Sequence, residues 1–299
     1  MSANPRSEPL RAALTMLVAC VCFTAMSLAI GEAHAAEPAL STVASSGVRS
    51  VVNLVVIVLF ARGRIGWLFG DARLALWTRG AAGAIALLTY FAAVPRVGIG
   101  EASFLNNTSA FWVAALAPTL LGEPARRSTW IAVVVSLVGL ALLGLPRGGA
   151  PGDDLGRGLG ALSGLAAAFA YLSVRRASAS NPAEVIVFYF ILTSTLASVG
   201  LGLVTEVTWP ARASTWAWLV AAGIAATVGQ LTMTRAYQMG EAAPLAALST
   251  ASPLMSAVAG VSLLGERPDG RAVVGMVVLA VAGVGLPLWS AARDRRRGG

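Results

Sequence analysis

The sequence contains no lysine, a single histidine and two cysteines, and only 12% of its 299 residues are charged. Soluble domains carry about 25% charged residues, so a chain this poor in charge cannot cover a water-facing surface. Cys20 and Cys22 sit two residues apart in one apolar run, which puts them on nearly opposite faces of a helix. They read as packing residues rather than a disulfide or a metal pair. His34, the only histidine, reads as a solvated loop residue. No aspartate falls inside an apolar run, and neither His-Glu-x-x-His nor a Gly-Lys-Ser/Thr phosphate loop occurs. An intramembrane enzyme would lack its acid–base set, and no metal, nucleotide or other cofactor is expected.

What is abundant is apolar: 57% of the residues are hydrophobic, and the mean hydropathy is +0.74. Hydrocarbon about 30 Å thick needs roughly 20 apolar residues per helix. Runs of that length between charged or Pro/Gly breaks predict ten spans, at 11–31, 42–61, 74–94, 99–122, 127–145, 156–175, 184–204, 214–235, 243–264 and 270–290. Connections are short and leave no room for a soluble domain. The expected fold is therefore all-α, a polytopic membrane protein.

The net charge of +8 is carried by arginine alone, with a pI near 10.9. Nucleic-acid binding would cluster basic residues on a soluble fold. Here they stand singly or in pairs between apolar runs, as membrane topology signals do. With both termini in the cytoplasm, the cytoplasmic segments hold Arg6, Arg11, Arg62, Arg64, Arg73, Arg126, Arg127, Arg175, Arg176, Arg235 and the cluster from Arg293 to Arg297. The external loops hold the fewer Arg96, Arg147, Arg157, Arg212, Arg267 and Arg271. An even number of spans fits this pattern. Arg79 is read as snorkelling to the cytoplasmic face. Arg49, deeper in its span, calls for a partner, a water cavity or snorkelling outward.

Ala33-His34-Ala35 looks like a signal-peptidase site and Leu17-Val18-Ala19-Cys20 like a lipobox. The run from Ala12 to Ile30 is long for a signal peptide and right for a span, so an uncleaved first helix is expected.

The sequence also repeats itself. Leu120-Leu121-Gly122-Glu123 follows the fourth run, and Leu263-Leu264-Gly265-Glu266 follows the ninth. Gly100-Glu101-Ala102 and Gly240-Glu241-Ala242 open the same two runs, and Phe23 with Ser27 echoes Phe169 with Ser173. Five spans per copy is odd, so the copies must cross in opposite senses, as two inverted half-bundles over 11–145 and 156–290 around a central cavity.

Tyr90-Phe91-Ala92, Gly100-Glu101-Ala102-Ser103, Asn106, the first Leu-Leu-Gly-Glu and Trp130 resemble the first EamA unit of the drug/metabolite transporter superfamily. Ser252-Pro253-Leu254 and the second Leu-Leu-Gly-Glu resemble its second unit. Departures occur at Ala110, where the family commonly has proline, and at Phe23 and Phe169, where tryptophan is common. Within the superfamily the chain looks most like the YddG-type exporters of aromatic and other neutral amino acids. That resemblance implies ten helices, cytoplasmic termini, a bacterial inner-membrane location and outward transport by alternating access.

Polar groups in mid-span mark candidate solute contacts, because hydrocarbon offers them no partner. The repeat offset aligns Asn106 and Asn107 with Ser249 and Thr250; packing between helices is the alternative account of such groups. Gln230 and Thr234 share a face, and Ser252 lies beside Pro253, whose missing N–H frees a carbonyl for a solute ammonium or simply kinks the helix. Tyr90, Trp112, Phe169 and Tyr171 are candidate walls for an amino-acid side chain. Glu101 and Glu241 are candidates for gating or proton coupling, with Glu101 placed to pair with Arg96. Glu123 and Glu266 should cap or pair at loop boundaries. Gly156, Gly160 and Gly164 make a smooth face for close packing. The partners implied are a small solute and the bilayer, with the chain acting as a monomer. The alternatives are a proton-coupled exporter of other metabolites or drugs, and a passive channel.

Overall fold

Helices begin where the sequence supplies an acceptor for a free amide. Ser41 accepts from Ala44 N at 3.1 Å, Asp153 from Gly156 N at 2.9 Å and Asp269 from Ala272 N at 2.7 Å, each satisfying one of the first unpaired amides of its helix. The computed structural model describes residues 8–62, 65–70, 73–145, 153–263, 265 and 267–297. Arg6, Arg64 and Arg147 of the charge pattern, and Leu264 and Glu266 of the second repeat motif, lie outside the described residues.

Among the described residues the order is α1 (Glu8–Ala36), α2 (Thr42–Phe60), a 3-10 turn (Ile65–Phe69), α3 (Arg73–Asn107), α4 (Ser109–Leu121), α5 (Arg127–Gly144), α6 (Asp154–Ala177), α7 (Ala183–Val204), α8 (Ala213–Met239), α9 (Ala242–Ser249), α10 (Ala251–Leu263) and α11 (Gly270–Val278). A π-helical turn (Leu279–Gly285) then leads into α12 (Leu286–Arg297). Nine stretches among these residues are long and apolar enough to cross a membrane. Large apolar side chains such as Leu59, Leu74 and Leu203 point outward, as they should where the surrounding solvent is lipid. The chain is a polytopic membrane protein.

Several predicted boundaries shift. Runs 74–94 and 99–122 were expected as separate helices; helical structure instead continues through Pro95 to Asn107, with a non-helical Gly98 (φ 81, ψ 159) inside it. Only glycine takes that backbone conformation without strain. The ninth run is divided at Thr250, between α9 and α10, and the tenth contains the π-helical turn. α1 extends to Ala36, so His34 is helical rather than in a loop, with Nδ1 3.0 Å from Ile30 O.

Packing follows side-chain size. α6 lies along α3, because Gly156, Gly160 and Gly164 admit Arg96, Val97, Leu105 and Thr108 against its backbone. α1 packs on α8, α2 on α7 and α8, α7 on α3, and α5 on α11. Val185 to Ile191, in the first half of α7, are buried on every face, whereas Leu196, Val199, Leu203 and Val204 of its second half face outward. Pro9, Ala12 and Ala13 share one groove with Ser290 and Ala291, which brings the two ends of the described chain to the same end of the bundle. Arg175–Glu123 (2.7 Å) and Arg235–Glu184 (2.7 Å) pair toward that end. Arg157–Glu101 (2.8 Å) and Arg96–Asp153 (2.6 Å) pair at the opposite end of α6.

Candidate functional site

One face of α3 carries Arg79, Gly83, Ala86, Leu87 and Tyr90, the helical spacing that stacks side chains in a stripe. That stripe faces a cavity of about 150 Å³ lined also by Asn106, by Ala167, Ala170 and Tyr171 of α6, by Phe190 of α7 and by Gln230 of α8. At ~30 Å³ per water it has room for about five waters. Its wall is half polar, in a bundle whose other interior contacts are mostly alanine, valine and leucine.

The polar groups are held in place by one another. Arg79 Nη2 donates to Gln230 Oε1 at 3.1 Å, and the guanidinium lies 4.3 Å from the centre of the Phe190 ring. Tyr90 OH and Ser103 Oγ are 3.0 Å apart. Asn106 Nδ2 donates to Ser163 Oγ at 3.1 Å, and that hydroxyl donates to Gly160 O at 2.7 Å. Tyr171 stacks on Tyr237 with ring centres 5.7 Å apart.

Of the residues expected to hold solute, Tyr90, Asn106, Tyr171 and Gln230 line this cavity together. The others lie elsewhere. Asn107 Nδ2 donates to Ser103 O at 2.8 Å on its own helix, and Ser249 Oγ does the same to Ala246 O at 2.7 Å. Trp112 packs edge-on against Phe111. Phe169, two residues and about 200° from Tyr171, is 42% exposed and lines an outer groove with Leu162, Leu165 and Ser173. Thr234 is buried away from the cavity. Ser252 meets α1 through its carbonyl, which accepts from Thr24 Oγ1 at 3.4 Å, and Pro253 lies within α10.

Charged residues depart further from expectation. Arg79 does not snorkel; it is 2% exposed and turned into the bundle. Gly83 allows this, since a Cβ there would stand 2.5 Å from both Arg79 Nη1 and the Phe190 ring. Arg49 is half-buried and donates to Met26 Sδ at 3.7 Å. Glu101 pairs with Arg157 rather than Arg96, which takes Asp153 instead. Glu241 is exposed at the start of α9 and makes no cap bond there. Glu123 bridges, its Oε1 accepting from Arg175 Nε at 2.7 Å and its Oε2 from Ala242 N at 3.0 Å. Sequence reasoning missed Arg79, Gly83 and Phe190. The available signal was an arginine six residues inside an apolar run with a glycine one turn away.

A half-polar cavity inside an apolar bundle is the geometry of a solute carrier, and the comparisons with known proteins agree. The EamA-like transporter family matches the chain twice, over residues 10–145 and 155–288. The chain belongs to the EamA-like transporter family. It is 29% identical over 273 residues to the pseudopaline exporter CntI of Pseudomonas aeruginosa, covering 91% of this chain and 94% of that protein. It is 26% identical over 211 residues to an uncharacterized transporter of Helicobacter pylori, covering 68% of this chain and 69% of that one. A crystal structure superposes with a TM-score of 0.81 at 21% identity, over 95% of this chain and 99% of the other, a likeness of fold. As an EamA-like protein the chain is a multi-pass membrane transporter.

Proposed function

We propose that this EamA-like protein exports small amino-acid-type solutes, aromatic and other neutral amino acids among them, across the bacterial inner membrane by alternating access. The observation that carries the reading is the partly polar cavity among α3, α6, α7 and α8. It offers a few fixed polar groups and aromatic walls, the composition of a small-molecule site. In the state described its volume suits a small amino acid, and a larger one requires the halves to part.

Ten crossings in two inverted halves, 11–145 and 156–290, are supported by four observations. Two chain ends at one end of the bundle need an even number of crossings. The 48-residue stretch Leu74–Leu121 would measure about 72 Å at ~1.5 Å per residue, twice the hydrocarbon thickness, so it supplies two. The helix interruptions at Thr108 and Thr250 fall at matching places, as do the left-handed Gly122 (φ 70) and Gly265 (φ 68). Exchanging the halves turns the α1–α8 contact into α6–α3, and α2–α8 into α7–α3, all of which occur.

Gating follows from where that symmetry fails. The 146-residue offset between Phe23 and Phe169 relates Arg157 to Arg11, and the repeated Gly-Glu-Ala relates Glu101 to Glu241. The first pair is joined at 2.8 Å, whereas Arg11 and Glu241 are both exposed. In a rocking carrier the two sites exchange roles: Glu101–Arg157 opens as Arg11–Glu241 closes. The chain works as a monomer with both termini in the cytoplasm, since one chain supplies the whole cavity.

The test is uptake of labelled tryptophan, phenylalanine, methionine and threonine into proteoliposomes, with Asn106→Ala and Gln230→Ala beside the native protein. Saturable uptake accelerated by solute on the far side, and reduced in both variants, is the expected result. Unchanged transport in both variants overturns the site. Likeness to the CntI exporter favours pseudopaline as a second candidate solute for the same assay.

A further inference from the structure

We infer that Arg79 is the anchor for a carboxylate on the transported solute, so that this carrier selects small carboxylate-bearing molecules and rejects their amides. The inference rests on the reading of the α3–α6–α7–α8 cavity as the solute site, and it adds the chemical group that the site recognises.

An arginine within a membrane span is costly, and it is ordinarily paired with an acid or hydrated in a water-filled cavity. Arg79 is 2% exposed, and no carboxylate among the described residues lies within ion-pair distance of it. The acids that a structural role would recruit are engaged at the ends of the bundle: Glu101 with Arg157, Glu123 with Arg175, Glu184 with Arg235 and Asp153 with Arg96. What Arg79 has instead is neutral. Gln230 accepts one hydrogen bond, and the Phe190 ring covers one face.

A guanidinium has five N–H donors in a planar fork that matches a carboxylate. Here Nε is buried without an acceptor. A ring against the face leaves the donor-bearing edge as the place for an anion. The side chain lines the cavity, so a solute there comes within reach of that edge. Gly83 keeps the cradle open, since any Cβ at that position would push the guanidinium off the ring. The folded chain thus holds a positive charge on the cavity wall with no acid beside it, and the carboxylate arrives with the solute. A carboxylate meets the fork and the positive field together; an amide offers one neutral carbonyl, and its N–H₂ opposes like donors. The Tyr90 and Tyr171 hydroxyls and the amide oxygen of Asn106 remain as acceptors for a solute ammonium, so zwitterions and simple carboxylates both fit.

The experiment uses three solutes of nearly equal size that differ only in these groups: L-alanine, L-lactate and L-alaninamide. Proteoliposomes containing the full chain are loaded with each in turn, and entry of the same solute in labelled form is followed against protein-free liposomes. Each unlabelled solute is then tested as an inhibitor of labelled alanine entry. Alanine and lactate should exchange, and alaninamide should inhibit at least about tenfold more weakly than lactate, one decade in affinity for the lost charged contact. Arg79→Met should abolish that discrimination, and Arg79→Lys should restore part of it. Inhibition by alaninamide equal to that by lactate, on the native protein alone, overturns the carboxylate anchor while leaving the cavity as the solute site. Exchange of none of the three overturns both readings.

Discussion

Arg79 on α3 and Gln230 on α8, 151 residues apart in the chain, meet through a 3.1 Å hydrogen bond at the edge of a central cavity. That contact ties the helix carrying the buried charge to one from the other half of the sequence. Any change in the angle between the halves is felt by the guanidinium directly.

Gly83→Ala should disturb this point more than its single methyl suggests. The added carbon would sit 2.5 Å from Arg79 Nη1 and from the Phe190 ring. Overpacking of this kind costs about 1–3 kcal/mol. The expected result is a lowered thermal midpoint in detergent together with lost solute exchange.

Glu123→Ala removes two charge-assisted bonds at once, those from Arg175 Nε and Ala242 N. Glu123 and Arg175 are both well covered, so the change leaves a half-buried guanidinium and a helix-start amide without their acceptor. A loss of about 1–3 kcal/mol is expected, measured as a fall in thermal midpoint. Glu123→Gln, which can keep the amide bond, should recover part of it.

Glu101→Gln tests the gate. Arg157 is 40% exposed but Glu101 is buried, so replacing the charged acceptor by a neutral one should lower stability by about 1–3 kcal/mol at most. On the proposed rocking mechanism, in which the pair forms in one state and not in the other, exchange should also change at least about twofold. The swapped variant Glu101→Arg with Arg157→Glu should return exchange toward the native rate. A stability effect without a rate effect assigns the pair to the fold alone.

Asp153 gives a pH dependence. The Gly156 backbone amide, and then Arg96, hold its carboxyl below the ordinary carboxylate range. A depressed folded value means the stabilisation is complete above the unfolded pKa, about 3.9 for aspartate. It disappears as pH falls through the lower folded value. Native protein and Asp153→Asn should therefore differ in thermal midpoint at pH 7 and converge at the acid end of a titration.

That the chain is a polytopic membrane protein was legible because run length and polarity alone decide whether a segment can lie in hydrocarbon. The glycines of the two Leu-Leu-Gly-Glu sequences, Gly122 and Gly265, share a left-handed conformation, in keeping with their common sequence context. The rotation of each helix about its axis was not legible. Phe169 and Tyr171 share a run and an aromatic character, yet α3 packs against one face of α6 only, which leaves one ring in an outer groove and the other in the cavity. Arg79 looked close enough to a helix end to reach water, and only the space left by Gly83 with the Phe190 ring beyond it turns the side chain inward. Asn107 is adjacent to Asn106, but a 100° step gives its amide to Ser103 O instead.

α5 and α11 approach backbone to backbone: a Cβ on Gly275 would come within 2.8 Å of Gly139 O, and one on Gly139 within 3.1 Å of Gly275 O, with Leu142, Val278 and Leu279 packed beside the contact. In the proposed rocking carrier, glycines at this seam keep the two halves in close register, so a bulkier residue at Gly139 or Gly275 would wedge them apart.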